Sequence, residues 1–131
     1  MHVYLIRHAK AEPGEPDALR KLNERGKKQA RELGERLART GVQPDAVISS
    51  PLLRARQTAD AIARATGTET EVDERLAPGA TVDDLRHVVS GHGDTIVVVG
   101  HQPDCGQIAA ALTGGPEPTF KTAGMVELTV E

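Results

Sequence analysis

Aromatic residues are nearly missing from this chain, with one Tyr, one Phe and no Trp among 131 residues. A core without large rings must be assembled from Val, Leu, Ile and Ala, and helices and sheet then approach one another closely. Cysteine is equally scarce. The single Cys105 cannot close an internal disulfide, and no charged leader followed by an apolar h-region opens the sequence, so a reducing cytoplasm is the expected location. No apolar run approaches the ~18 residues of a membrane span, so no membrane partner is expected. Excess charge is lacking too. A total of 16 Lys and Arg against 19 Asp and Glu gives a net charge of −3, with the signs interspersed. That argues against non-specific nucleic-acid binding, which usually needs a basic patch or stripe. The length suits one compact domain over residues 1–131, acting as a monomer or weak dimer, in which roughly 68% of the unfolded surface is buried.

What is present begins with Val3 to Ile6, an unbroken apolar run with the pattern of a strand buried on both faces, which ends abruptly in Arg7-His8. Ala11 to Leu22, with Pro13, Gly14 and Pro16, reads as a loop too short to form a substantial lid. Asn23 is a candidate N-cap for an amphipathic helix carrying Gly26, Ala30, Leu33, Gly34 and Leu37 and stopped by Gly41. Asp45 to Ser49 is a second strand. Ser50-Pro51 then reads as an N-cap with proline at the first position of a helix to Thr66, which puts Arg54 in its first turn. A cation there opposes the helix dipole, an arrangement that makes sense if an anion sits in front of it.

Thr68 to Asp73 is expected as a short edge strand, Arg75 to Ala80 as a loop, and Thr81 as the N-cap of a helix reaching Val89. Ser90 to Asp94 is turn chemistry. Thr95 to Val99 is the strongest buried-strand signal, and it ends in Gly100-His101, so a second buried strand delivers a histidine to its C-terminal edge. A helix from about Pro103 follows, with Cys105 on its apolar stripe as a core residue, until Gly114-Gly115-Pro116. Thr119 to Thr122 and Met125 to Val130 read as a terminal hairpin or paired edge strands. His2, His87 and His92 are expected to be solvated. The alternation predicts an α/β fold of three αβα layers around a mostly parallel central sheet.

Two histidines and two arginines, His8, His101, Arg7 and Arg54, are thereby expected along one sheet edge. A metal site from His8, His101 and Asp104 is disfavoured, because the arginines repel a cation and no carboxylate cluster completes the ligand set. The group suits a tetrahedral dianion instead. Guanidinium forks hold its oxygens while a neutral imidazole attacks phosphorus.

These residues carry a family resemblance. Arg7-His8-Ala9 resembles the Arg-His-Gly signature of the histidine phosphatase superfamily, with alanine in place of glycine. The stretch from Ser50 to Ala59 is similar to that family's second motif, and Gly100-His101 to its last. Lys10-Ala11-Glu12, Arg20 before Leu22 to Gly26, and Ala77 to Ala80 further resemble the branch that includes bacterial phosphohistidine phosphatases. The resemblance implies a phosphoglycerate mutase-like fold and a phosphatase that needs no cofactor or metal. His8 would be the nucleophile, while Arg7, Arg54 and His101 hold the phosphoryl oxygens, His101 as a cationic donor. Lys10, Arg20 and Gln102 are expected at the substrate rim. Family members acting on phosphate esters often carry an acid in the segment matching Arg75 to Ala80, and this chain has none there. Glu12, Asp17 and Glu74 are the candidate general acids. The expected substrate is a phosphohistidine-bearing protein. A small phosphate ester, or a phosphate-binding module without turnover, are the alternatives.

Overall fold

The computed structural model describes all 131 residues. The strands are β1 (His2–Arg7), β2 (Ala46–Ser49), β3 (Thr70–Val72), β4 (Thr95–Gly100) and β5 (Met125–Thr129). The helices are α1 (Glu24–Arg39), α2 (Leu53–Thr66), α3 (Val82–Val89) and α4 (Asp104–Thr113). The strands form one sheet in the order β3-β2-β4-β1-β5, parallel except where β5 runs antiparallel to β1. This is the expected α/β fold.

Strand periodicity divides the core into two layers, because successive side chains of a strand point to opposite faces. Ile96 and Val98 of β4 join Val3, Leu5, Leu85, Val88 and Ile108 on the side of α3 and α4. Val97 and Val99 join Ile6, Leu33, Leu37, Ala59 and Ile62 on the side of α1 and α2. Both faces of the central strands are thus covered, which is why their sequences read as continuous apolar runs. Cys105 sits in the first layer with its thiol pushed up to about 12, chiefly by burial, and is chemically inert there.

Caps follow the sequence at α1, where the Asn23 side chain accepts the Gly26 N–H, and at α3, where Thr81 and Asp84 form a reciprocal capping box. They depart from it at α2. That helix begins at Leu53, and Ser50 is not its cap; Ser50 Oγ accepts the Leu52 N–H one step ahead of the helix.

The C-terminal segment departs further. Residues 119–122 form no strand, and β5 pairs with β1 instead of closing a hairpin. The reason is burial of Phe120 in the α3/α4 layer, followed by a turn through Ala123, whose φ of 59° is left-handed. The turn wraps the C-terminal end of β1: Arg7 N–H donates to the Gly124 carbonyl and Ala123 N–H to that of His8.

Gly26 governs how α1 meets the strand that carries the histidine. A Cβ there would collide with the Lys10 carbonyl, which already accepts the Asn23 N–H. Backbone on both sides leaves no flexible side chain to yield. Gly26→Ala is therefore expected to destabilise the fold by about 1–3 kcal/mol, read from urea unfolding.

Candidate active site

The parallel ladder brings the ends of β1, β4 and β2 side by side. Arg7 is in register with Gly100, His8 N–H donates to the Gly100 carbonyl, and Ser50 N–H donates to that of Val99. His8, His101 and Ser50 therefore leave neighbouring strands at the same sheet edge. The imidazoles of His8 and His101 lie 5.2 Å apart between centroids. Arg54 enters from the first turn of α2, and the exposures of His8, Arg54 and His101 are only 9%, 6% and 4%.

The tautomer of His8 is fixed by geometry. Its Nδ1 is 2.7 Å from the Ala9 carbonyl oxygen, which can only accept, so Nδ1 carries the proton and Nε2 keeps its lone pair. Burial, with Arg54, Arg7 and Arg20 nearby, depresses the His8 pKa to about 4, so the ring is neutral at pH 7. The Ala9 peptide is held in turn by Thr58, whose hydroxyl accepts the Ala9 N–H at 3.0 Å and donates to the Arg54 carbonyl at 2.8 Å. The methyl of Ala9, which replaces the family's glycine, packs with Leu22 and Ala30 at a negative φ, without strain.

His101 differs from the cationic donor expected of it. Burial first, then His8 and Arg54, bring its pKa to about 4, so it is a neutral imidazole. Its Nε2 is 2.7 Å from Ser50 Oγ, while Nδ1 is buried and unpartnered. Arg7 spends one terminal nitrogen on the Phe120 carbonyl and keeps a buried Nε without a partner, as does Arg54.

Asp17 is the candidate acid that touches the cluster. Its carbonyl accepts from Arg54 Nη1 at 2.9 Å and its carboxylate from Arg54 Nη2 at 3.2 Å and Arg20 Nη1 at 3.1 Å. The short first loop thus reaches over Arg54 despite its length. Hydrogen bonds from Arg20 and Arg54 hold the Asp17 carboxyl below the usual range, which makes it an anion and a poor proton donor. Glu12 contributes only its backbone, accepting from Arg20 Nε at 2.7 Å, and Glu74 is exposed on the turn after β3 with no hydrogen bond to the cluster.

At the rim, Arg20 is half-buried against Asp17 and Glu12, and Lys10 is exposed. Gln102 Oε1 is engaged by the Gly106 N–H of α4, leaving only its Nε2 for a rim role. Asp104 is occupied as well, accepting the Gly79 and Ala80 N–H groups and tying that loop to α4. No group of three His, Cys, Asp or Glu side chains is arranged to hold a metal ion. Sequence reasoning missed Ser50, Thr58 and the Phe120 carbonyl. A serine directly following a buried strand at this edge was the available signal for the first.

The profile of the histidine phosphatase superfamily (branch 1) matches residues 3–78, more than half of the chain and inclusive of Arg7, His8 and Arg54. The chain belongs to that superfamily. An uncharacterized protein of Picosynechococcus sp. is 34% identical over 140 aligned positions, spanning 98% of this chain and 84% of that protein. Among solved structures, the protein histidine phosphatase SixA complexed with tungstate superposes with a TM-score of 0.90 at 27% identity, covering 100% of this chain and 89% of that one. A proposed phosphohistidine phosphatase SixA from Agrobacterium tumefaciens gives 0.83 at 30% identity, with 96% and 89% covered. No helix is long and apolar enough to cross a membrane.

Two expectations follow from the electrostatics. His8 and His101 titrate near 4 when folded and near 6.5 when unfolded, so between those values the unfolded chain binds more protons. The stability conferred by keeping them neutral is complete above pH 6.5 and is lost as pH falls toward 4. Urea unfolding should lose about 2 kcal/mol for each histidine, roughly 4 in all, from pH 7 to pH 5, and His8→Ala should remove about half of that loss. Asp17→Asn removes the carboxylate that competes for Arg54. It should tighten inorganic phosphate binding several-fold by calorimetry.

Proposed function

We propose that this protein is a metal-independent phosphatase that acts through a covalent phosphohistidine on His8, with phosphohistidine borne by a protein as its preferred substrate. The observation that carries this reading is the 2.7 Å contact from His8 Nδ1 to the Ala9 carbonyl, which in a ring kept neutral by burial leaves the Nε2 lone pair free for attack, with His101 alongside and Arg54 and Arg7 nearby. Nε2 attacks phosphorus, the P–N bond to the substrate imidazole breaks, and the leaving ring takes the bonding pair. Water then attacks the phosphoryl group on His8, releasing inorganic phosphate and restoring Nε2. Catalysis of this kind needs chiefly positioning and stabilisation of charge on the equatorial oxygens, and the guanidinium groups supply it. Phosphoryl oxygens would replace Asp17 on the terminal nitrogens of Arg54.

The substrate preference rests on the acids. An alkoxide leaving a phosphate ester needs a proton in the transition state, help typically worth 10²–10⁴-fold. Phosphohistidine already protonated on its ring departs as neutral imidazole and needs none. Asp17 is held as an anion, and neither Glu12 nor Glu74 hydrogen-bonds to the cluster. The likeness to SixA structures supports the same choice. A lone buried thiol is compatible with a reducing cytoplasm as the working compartment.

The test is kcat/KM across leaving groups of graded pKa. Wild type is expected to lose rate steeply as the leaving group becomes more basic, favouring phosphohistidine and activated aryl phosphates over phosphoserine, and His8→Ala should be inactive while folded. A flat dependence that turns steep in Glu12→Gln or Glu74→Gln would reveal a general acid and favour small phosphate esters. Phosphate binding without turnover of any substrate would reduce the protein to a binding module.

A further inference from the structure

Ser50 stands where the sequence suggests a helix cap, yet the hydroxyl meets His101 Nε2 at 2.7 Å and the residue is completely buried. We propose that Ser50 is a positioning residue that holds His101 as its Nδ1–H tautomer, so that His101 donates to a phosphoryl oxygen as a neutral ring. This rests on the phosphoryl-transfer reading above.

Counting donors decides the tautomer. A serine hydroxyl has one hydrogen to give and can accept. Its accepting side takes the Leu52 N–H at 3.2 Å, and the neighbouring Ser49 hydroxyl is turned to the Ser50 carbonyl, not to Oγ. His101 Nε2 is therefore the acceptor within reach of the Ser50 hydrogen. Were Nε2 to carry the proton, the 2.7 Å contact would reverse. The Ser50 hydrogen and the Nδ1 lone pair would then both be stranded in a buried site. With the proton on Nδ1, one group alone is unmet, and it is a donor: the buried, unpartnered Nδ1–H. Unpaired buried donors are costly, so the second arrangement is favoured, and it suits an incoming anion.

The same count opposes an imidazolium, which must protonate Nε2 and strand the serine hydrogen. It acts alongside burial and the titratable groups that face the ring, His8 just beyond β1, Arg54 from α2 and Arg7 at the end of β1, against which Asp17 of the first loop pulls the other way. Placement follows from the sheet. Ser50 N–H is tied to the Val99 carbonyl, so the residues following β2 and β4 are held alongside each other before either side chain is considered.

The decisive measurement is the ¹⁵N spectrum of the His101 ring in the full chain, free and with inorganic phosphate, from pH 5.5 to 8. Wild type is expected to show a protonated Nδ1 and a bare Nε2 throughout. Ser50→Ala is expected to lose that preference, weaken phosphate binding about 10-fold and lower kcat/KM at least as much. Ser50→Thr, which keeps the hydroxyl, should restore the spectrum. A wild-type His101 that is protonated on Nε2, singly or as an imidazolium at pH 7, overturns the proposal on its own, whether or not the variants fold. An unchanged spectrum and phosphate affinity in Ser50→Ala do so too. An Nδ1–H ring in a protein that neither binds phosphate nor forms a phosphoenzyme upholds the tautomer and sinks the phosphatase reading instead.

Discussion

Parallel pairing of β1, β4 and β2 is the constraint on which the rest depends. Three strands buried on both faces cannot slip register without driving side chains of one core layer into the other. Their C-terminal ends are thereby held level, and Arg7-His8, Gly100-His101 and Ser49-Ser50 leave the sheet together. The Phe120 to Gly124 turn then secures the end of β1 from the far side, through the Gly124 carbonyl on the Arg7 backbone and the Phe120 carbonyl on its guanidinium. Apolar burial in the sheet thus supplies the precision with which a polar cluster is placed.

Within that cluster the two histidines are made neutral by the features that make the site attractive to an anion. Burial disfavours their cations, and the neighbouring arginines add to the effect. For His8 neutrality is what the proposed attack on phosphorus requires. For His101 neutrality leaves a single N–H, and the hydroxyl of Ser50 sets which nitrogen holds it. Positive charge is left to the guanidinium groups. Asp17 offsets part of it through Arg54 and Arg20, so the cluster is not a group of bare cations.

Much of this was legible in the sequence, for definite reasons. Val3 to Ile6 and Thr95 to Val99 are apolar without alternation, which only a strand covered on both faces tolerates, and a histidine with chemistry to offer stands two residues beyond each. What escaped was tertiary. Ser50-Pro51 satisfies the local rules for a helix start, and only the neighbouring end of β4 shows that the hydroxyl is claimed by His101. Thr119 to Thr122 has strand-like residues, but Phe120 is one of the few large side chains available and the core takes it. Asp17 looked like a free acid because the arginines that ionise it lie three and 37 positions away in the chain.

The central claim is that His8 attacks through Nε2, and the phosphorylated enzyme reports on it directly. Rapid quenching into base during turnover, followed by ³¹P–¹⁵N correlation on the isolated peptide, should find an acid-labile phosphoryl group on Nε2 of His8. A phosphoryl group on Nδ1 or on another residue would contradict the account, as would turnover with no phosphoenzyme formed.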